Sequence, residues 1–300
     1  SLHRALEPES TREDLKRLFA RIARVHGWIP GGAAMRDEGA ANHMRLGSGE
    51  NRPGIHLFVY GDQDPEPAVH WPRQTLAACR AIARTLAIDP DNVFFLKQHP
   101  AAIDAGGFHN DVVAASHHHL VLHQESAFWE AESQWERIHD RYRELYGQDL
   151  VRVVVPERDL MLADAIETYL FNSQIISAAD ADEGPVIICP SQTQHRAASR
   201  SVVEGWVDRG LFSQVHYVDL RQSMAGGGGP ACLRLRVPVE RERIDQLPEG
   251  ARWSPELDQR LREQIVIEYP TELTLPELTN ESVLAQIQHG HSRIRACLGL

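Results

Sequence analysis

"HNDVVAASHHHLVLHQ", residues 109–124, contains two short apolar runs, 109–116 and 119–124, that read as β-strands. A helical stretch follows at 128–146, and "LVRVVVP" (150–156) reads as a third strand. The same order recurs on either side. Upstream lie "GIHLFVYG" (54–61), the amphipathic "RQTLAACRAIARTLAI" (73–88) and "NVFFLKQ" (92–98). Downstream, "DAIETYLFNSQIIS" (164–177) and "GPVIICPS" (184–191) continue the strand pattern, a helix is predicted near 196–209, and "QVHYVDL" (214–220) closes the unit. Repetition of one strand–strand–helix–strand unit predicts an α/β fold of modules arranged around an axis. The ends differ. Residues 11–25 predict an amphipathic helix, and 240–300 read as a polar, largely helical tail. With no low-complexity linker, one compact domain is expected over 1–300.

Composition narrows the function classes. The chain is 42% hydrophobic and carries a net charge of −11, which argues against nucleic acid or an anionic membrane surface as the main partner. No apolar run reaches the roughly 18 residues that span a bilayer, and no cleavable signal sequence is read at the start. Cys79, Cys189, Cys232 and Cys297 lie far apart without a CxxC pair, as expected of reduced cytoplasmic thiols.

Three stretches carry residues suited to chemistry. In "QSMAGGGGPACLRLRV" (222–237), four glycines and a proline precede Cys232 and an alternating strand pattern. Glycine is the costliest residue to order, so such a run suggests a loop whose backbone approaches something closely, with the thiol delivered at its end. In "GGFHNDVVA", His109 and Asp111 are two residues apart and are predicted to share one strand face, a proton-transfer group beside a carboxylate. In "RDEGAANHMR" (36–45), Glu38 sits where a carboxylate can orient an imidazole or bind a cation. The run "SHHHLVLH" raises a zinc site from His117, His119 and His123, but a surface histidine run is the stronger reading because no Cys or acidic ligand completes it. The glycines are no phosphate loop, since no GK[ST] or following helix accompanies them.

Taken in order, "RDEGAANHMRL", "WPRQTLAACRAIA", "GGFHNDVVA", "YLFNSQ" and "RQSMAGGGGPACLRLRV" closely resemble the N-succinylarginine dihydrolases, a family of the guanidino-group-modifying (pentein) superfamily in arginine catabolism. The resemblance runs from "HRALE" to the strand after Cys232 and fades in the tail. It implies a five-bladed propeller of ββαβ modules around a pseudo-fivefold axis, with a central catalytic set falling on Glu38, His109 and Cys232. It implies substrate contacts from His3 and Arg4 in "LHRALE", Arg73 in "PRQT" and Asp111 in "HND". The family's glycine run begins with a substrate-contacting Asn, and Gly226 stands at that position here. Family members begin well before "SLHR" with a segment that holds the first blade, so the first module is expected to be missing. A homodimer without metal or organic cofactor is implied.

The chemistry follows from the groups. Asp111 can pair with guanidinium nitrogens, Cys232 attacks the guanidinium carbon, His109 moves protons, and Glu38 orients His109. Arg4, Arg73 and His3 suit the carboxylates of a succinylated substrate. Rival expectations are a deiminase of the same superfamily on another guanidino substrate, an inactive fragment or binding paralogue, and a histidine metal site.

Overall fold

The computed structural model describes residues 8–29, 31–37, 39–49, 52–178, 183–225, 228–230, 232 and 235–300. They belong to two compact units, one formed by the chain up to Trp28 together with Val237–Leu300, the other by Ile29–Arg236.

Among the described residues, the larger unit is mixed α/β with three small sheets, each of three strands. In the first, β1 (His43–Leu46) runs antiparallel to β2 (Ile55–Tyr60), the helix Leu76–Thr85 intervenes, and β3 (Val93–Lys97) returns parallel to β2. The second repeats this with β4 (Ala114–His117), β5 (Leu120–Gln124), the helix Glu132–Tyr146 and β6 (Val151–Val155). The third does so with β7 (Gln174–Ile176), β8 (Val186–Pro190), the helix Ala197–Asp208 and β9 (Gln214–Val218). Two antiparallel strands need only a short connection, whereas the parallel return needs a crossover, which the helix supplies.

Local chemistry sets the helix limits. Thr75 Oγ1 accepts from Ala78 N and caps the helix Leu76–Thr85, and Gly147 ends Glu132–Tyr146 in the left-handed conformation. The core lies between successive modules. Leu46, Ile55, Leu57 and Leu96 of the first sheet pack with Trp135, Ile138 and Tyr142 of the second module's helix. Leu120, Leu122 and Val155 of the second sheet pack likewise with Val203 and Trp206 of the third.

Three strand expectations are corrected. Residues 109–113 are not strand: Val112 N donates to His109 O and Val113 N to Asn110 O, closing a 3-10 turn, and pairing starts only at Ala114. Most of 164–173 is helical, with Leu162–Thr168 burying Leu162, Ala165 and Thr168 on one side, and strand is confined to Gln174–Ile176. After Cys232, described residues 235–240 form no strand; a strand exists only with a partner, and none of the paired strands borders them.

The smaller unit is helical, with Pro8–Phe19, Pro255–Glu268 and Glu281–Cys297 as its main elements. Within it, Arg295 forks onto Asp14, with Nη2 2.6 Å from Oδ1, and holds that carboxyl below its ordinary range. Among the described residues no helix is long and apolar enough to cross a membrane.

Candidate active site

The first strands of the three sheets, β1, β4 and β7, are neighbours, and each is entered through a 3-10 turn. These turns are Gly39–Asn42, Asn110–Val112 and Leu170–Asn172. The middle turn packs against the other two. Two buried asparagines fasten it from either side. Asn42 Oδ1 accepts from the Asn110 backbone N at 3.0 Å, and Asn172 Nδ2 donates to the Asp111 backbone O at 3.3 Å. The chain that leaves β9 then brings Cys232 to the same place.

The Cys232 thiol donates toward Asp111 Oδ2 at 3.8 Å, and its sulfur lies 3.6 Å from Asn172 Nδ2 and 3.8 Å from Asn172 Oδ1. Its loop is held by Cys232 N on Gly229 O (3.0 Å), Gly228 N on Ser223 O (3.0 Å) and Gln174 Nε2 on Pro230 O (2.8 Å). A Cβ at position 229 would lie 2.4 Å from Asn172 Oδ1, so glycine is required there for the backbone to close on that carboxamide.

Partial burial pushes the Cys232 thiol up from its ordinary range, and the Asp111 charge pushes it further. Hydrogen bonds from the Gly229 backbone and the Asn172 side chain act in the opposite sense. The other thiols differ in setting. Cys79 and Cys189 are buried and pushed up to about 12, whereas Cys232 is exposed. An accessible thiol beside a carboxylate and an amide donor can attack an electrophile; a thiol sealed in a core cannot.

His109 precedes the turn in extended conformation, as its N-cap. Three residues before it, Gly106 has φ +101°, which turns the chain from the helix Pro100–Asp104 toward His109. Phe108 lies under the Arg73 guanidinium, 5.0 Å from ring centre to Cζ. The loop leading to Arg73 is anchored from the same helix, since the Asp104 carboxylate accepts from the backbone N–H of Ala68, Val69 and His70 at 2.8–3.0 Å. On the far side, Tyr169 holds φ +53° beside the thiol; burial first, then the charges of Cys232 and Asp111, raise its hydroxyl above the ordinary range.

A family model described as succinylarginine dihydrolase matches residues 1–300. The chain belongs to the succinylarginine dihydrolase family. An N-succinylarginine dihydrolase of Shewanella piezotolerans is 35% identical over 293 residues, covering 95% of this chain and 65% of that relative. One of Acinetobacter baylyi is 34% identical over 305 residues, 99% of this chain and 68% of the relative. The chain thus spans about two thirds of the length of these relatives. The solved structure of ArgZ, an arginine dihydrolase of the ornithine-ammonia cycle in cyanobacteria, aligns at TM-score 0.41 and 21% identity over 68% of this chain and 25% of that one.

Against the resemblance to this family, the structure joins Asp111 to Cys232 directly and sets Arg73 on the residue before His109. Glu38, His3, Arg4 and Gly226 lie outside the described residues. His109 and Asp111 do not share a strand face, because both fall in the turn entry. The histidine run is not a surface run throughout: His119 is exposed, but His117 and His123 are buried. His117 contacts Ser177 Oγ, and His123 accepts from Arg152 Nε. Among the described residues no group of three or more His, Cys, Asp or Glu side chains is arranged to hold a metal. Sequence reasoning assigned no role to Asn172, Tyr169 or Gln174. Their signal was present, since all three lie in "YLFNSQ".

Proposed function

We propose that this chain hydrolyses N-succinylarginine to N-succinylornithine, two ammonia and carbon dioxide by a thiol mechanism. The observation that carries the reading is the Cys232 sulfur 3.8 Å from the Asp111 carboxylate, in a chain matched end to end by the family model. A guanidinium is a flat cation with donors only, so an acceptor-only carboxylate beside a nucleophile suits it. Its positive charge on Asp111 also removes the repulsion that holds the thiol proton, so substrate binding itself favours the thiolate.

In this reading Cys232 forms an S–C bond to the guanidinium carbon. The C–N bond to the departing ammonia breaks with a proton from His109, and Glu38 steadies the charged imidazole. Water, activated by His109, adds to the S-amidino intermediate, and the S–C bond breaks to release the ureido product. A second cycle on that product yields N-succinylornithine, carbon dioxide and the second ammonia. Arg73, with Arg4 and His3, would bind the substrate's carboxylates, and Gly226 would leave out one polar contact. The whole chain is read as one catalytic domain, with its three sheets as modules of a propeller around a pseudo-fivefold axis; the shared strand order of the three supports this. A cytoplasmic homodimer completes the proposal.

Incubation with N-succinylarginine tests it. Two ammonia per substrate consumed are expected, falling by at least about 10³-fold in Cys232→Ser. One ammonia with a ureido product would make the protein a deiminase, and binding without turnover would make it a non-catalytic paralogue.

A further inference from the structure

We propose that Asn172 is a catalytic residue that stabilises the Cys232 thiolate through its side-chain N–H and locks the thiol to the turn that carries Asp111. The inference rests on reading Cys232 as the nucleophile.

Three observations converge on this side chain. First, it is 0% exposed, yet its carboxamide reaches both halves of the site: Nδ2 lies 3.6 Å from Cys232 Sγ and 3.3 Å from the Asp111 backbone O. Second, the structure around it is shaped to hold that position. Gly229 has no room for a Cβ because Asn172 Oδ1 fills the space, and Gln174, two residues on, grips the same loop at Pro230 O. Tyr169, at the start of the turn, takes the left-handed conformation that is costly for a tyrosine, a strain kept where the surroundings demand one orientation. Third, the thiol faces an opposing pair. Asp111 disfavours a negative sulfur, and an amide N–H is a neutral donor that favours it without repelling an incoming cation. A lysine or arginine in its place would compete with the guanidinium for Asp111.

The test reads the thiol without any substrate. Alkylation of Cys232 by iodoacetamide is followed against pH by peptide mass spectrometry, in wild type and in Asn172→Ala and Asn172→Asp. The aspartate variant keeps the shape but replaces the donor with an acceptor. Loss of one hydrogen bond to a charged group is expected to slow alkylation at neutral pH about tenfold and to move its pH profile upward, more in Asn172→Asp than in Asn172→Ala. Circular dichroism identifies the variant that keeps the fold, and either one suffices. A folded variant whose profile overlays the wild type overturns the proposal, even if its turnover is reduced, because a merely structural role leaves the titration in place. Failure of the nucleophile reading is separate: it shows as undiminished succinylarginine turnover after Cys232 is fully alkylated.

Discussion

At the scale of single residues, the site balances one charge against one thiol. Asp111 raises the Cys232 thiol together with burial, yet it is the group suited to hold a guanidinium. Its two effects can be separated. In Asp111→Asn the charge is gone, so iodoacetamide should modify Cys232 faster at neutral pH. Turnover of N-succinylarginine should fall on the order of 10–100-fold, mainly through KM, as a charged hydrogen-bond partner is lost. Slower alkylation in this variant would contradict the electrostatic account. Spacing does not distinguish the four cysteines and the glycine run singles out Cys232; the environments differ accordingly, with Cys79 and Cys189 sealed in cores, Cys297 half-buried and Cys232 exposed at the meeting of three segments.

At the scale of elements, the site is carried by connections and not by the strands themselves. Each sheet's first strand is preceded by a tight turn, and the turns hold one another through buried side-chain to backbone bonds. Asn42 is the clearest case. Its Oδ1 satisfies a backbone N–H that would otherwise be buried without a partner, while its Nδ2 finds none among the described residues. Asn42→Ala therefore loses one bond but also removes one unsatisfied donor. The net cost should be about 1 kcal/mol, at the low end for a buried hydrogen bond, read as a lower urea midpoint. A loss well above 3 kcal/mol would mean that the turn collapses without it. The strand pattern at 109–116 was misread for a related reason. "HNDVVAAS" carries the short apolar run of a strand, but the Asn110 backbone N–H bonds to Asn42, 68 residues away, and its first half is a turn.

At the scale of the whole molecule, buried and half-buried histidines tie stability to pH. His43 is pushed down to about 3, and His56 and His123 to about 4, chiefly by burial. His43 Nε2 and His56 Nδ1 are 2.9 Å apart, and His43 stacks on Phe58 at 4.4 Å, an arrangement suited to neutral rings. The ordinary value is 6.5, so as pH falls below it the unfolded chain takes up protons that the folded chain refuses. This contribution to stability is intact above about pH 6.5 and is lost progressively down to about pH 3–4. Each group can contribute a slope of up to ~1.4 kcal/mol per pH unit. Urea midpoints should drop steeply from pH 6.5 to 4.5; a flat profile over that range would show that the rings are solvated.

Periodicity and turn residues alone supply most of the order of strands and helices, because alternation and helical spacing are local properties of the chain; they leave out β1 and read the helix Leu162–Thr168 as strand. Long motifs alone point to the family, and "YLFNSQ" already carried the asparagine that meets the thiol. The neighbours of that thiol are a different matter. Residues 111, 172 and 232 come together only because the first strands of successive sheets pack side by side and bring their entry turns into contact. A glycine run states that the backbone must come close to something. Only the folded molecule names it, because the missing Cβ at 229 is space occupied by a side chain 57 positions earlier.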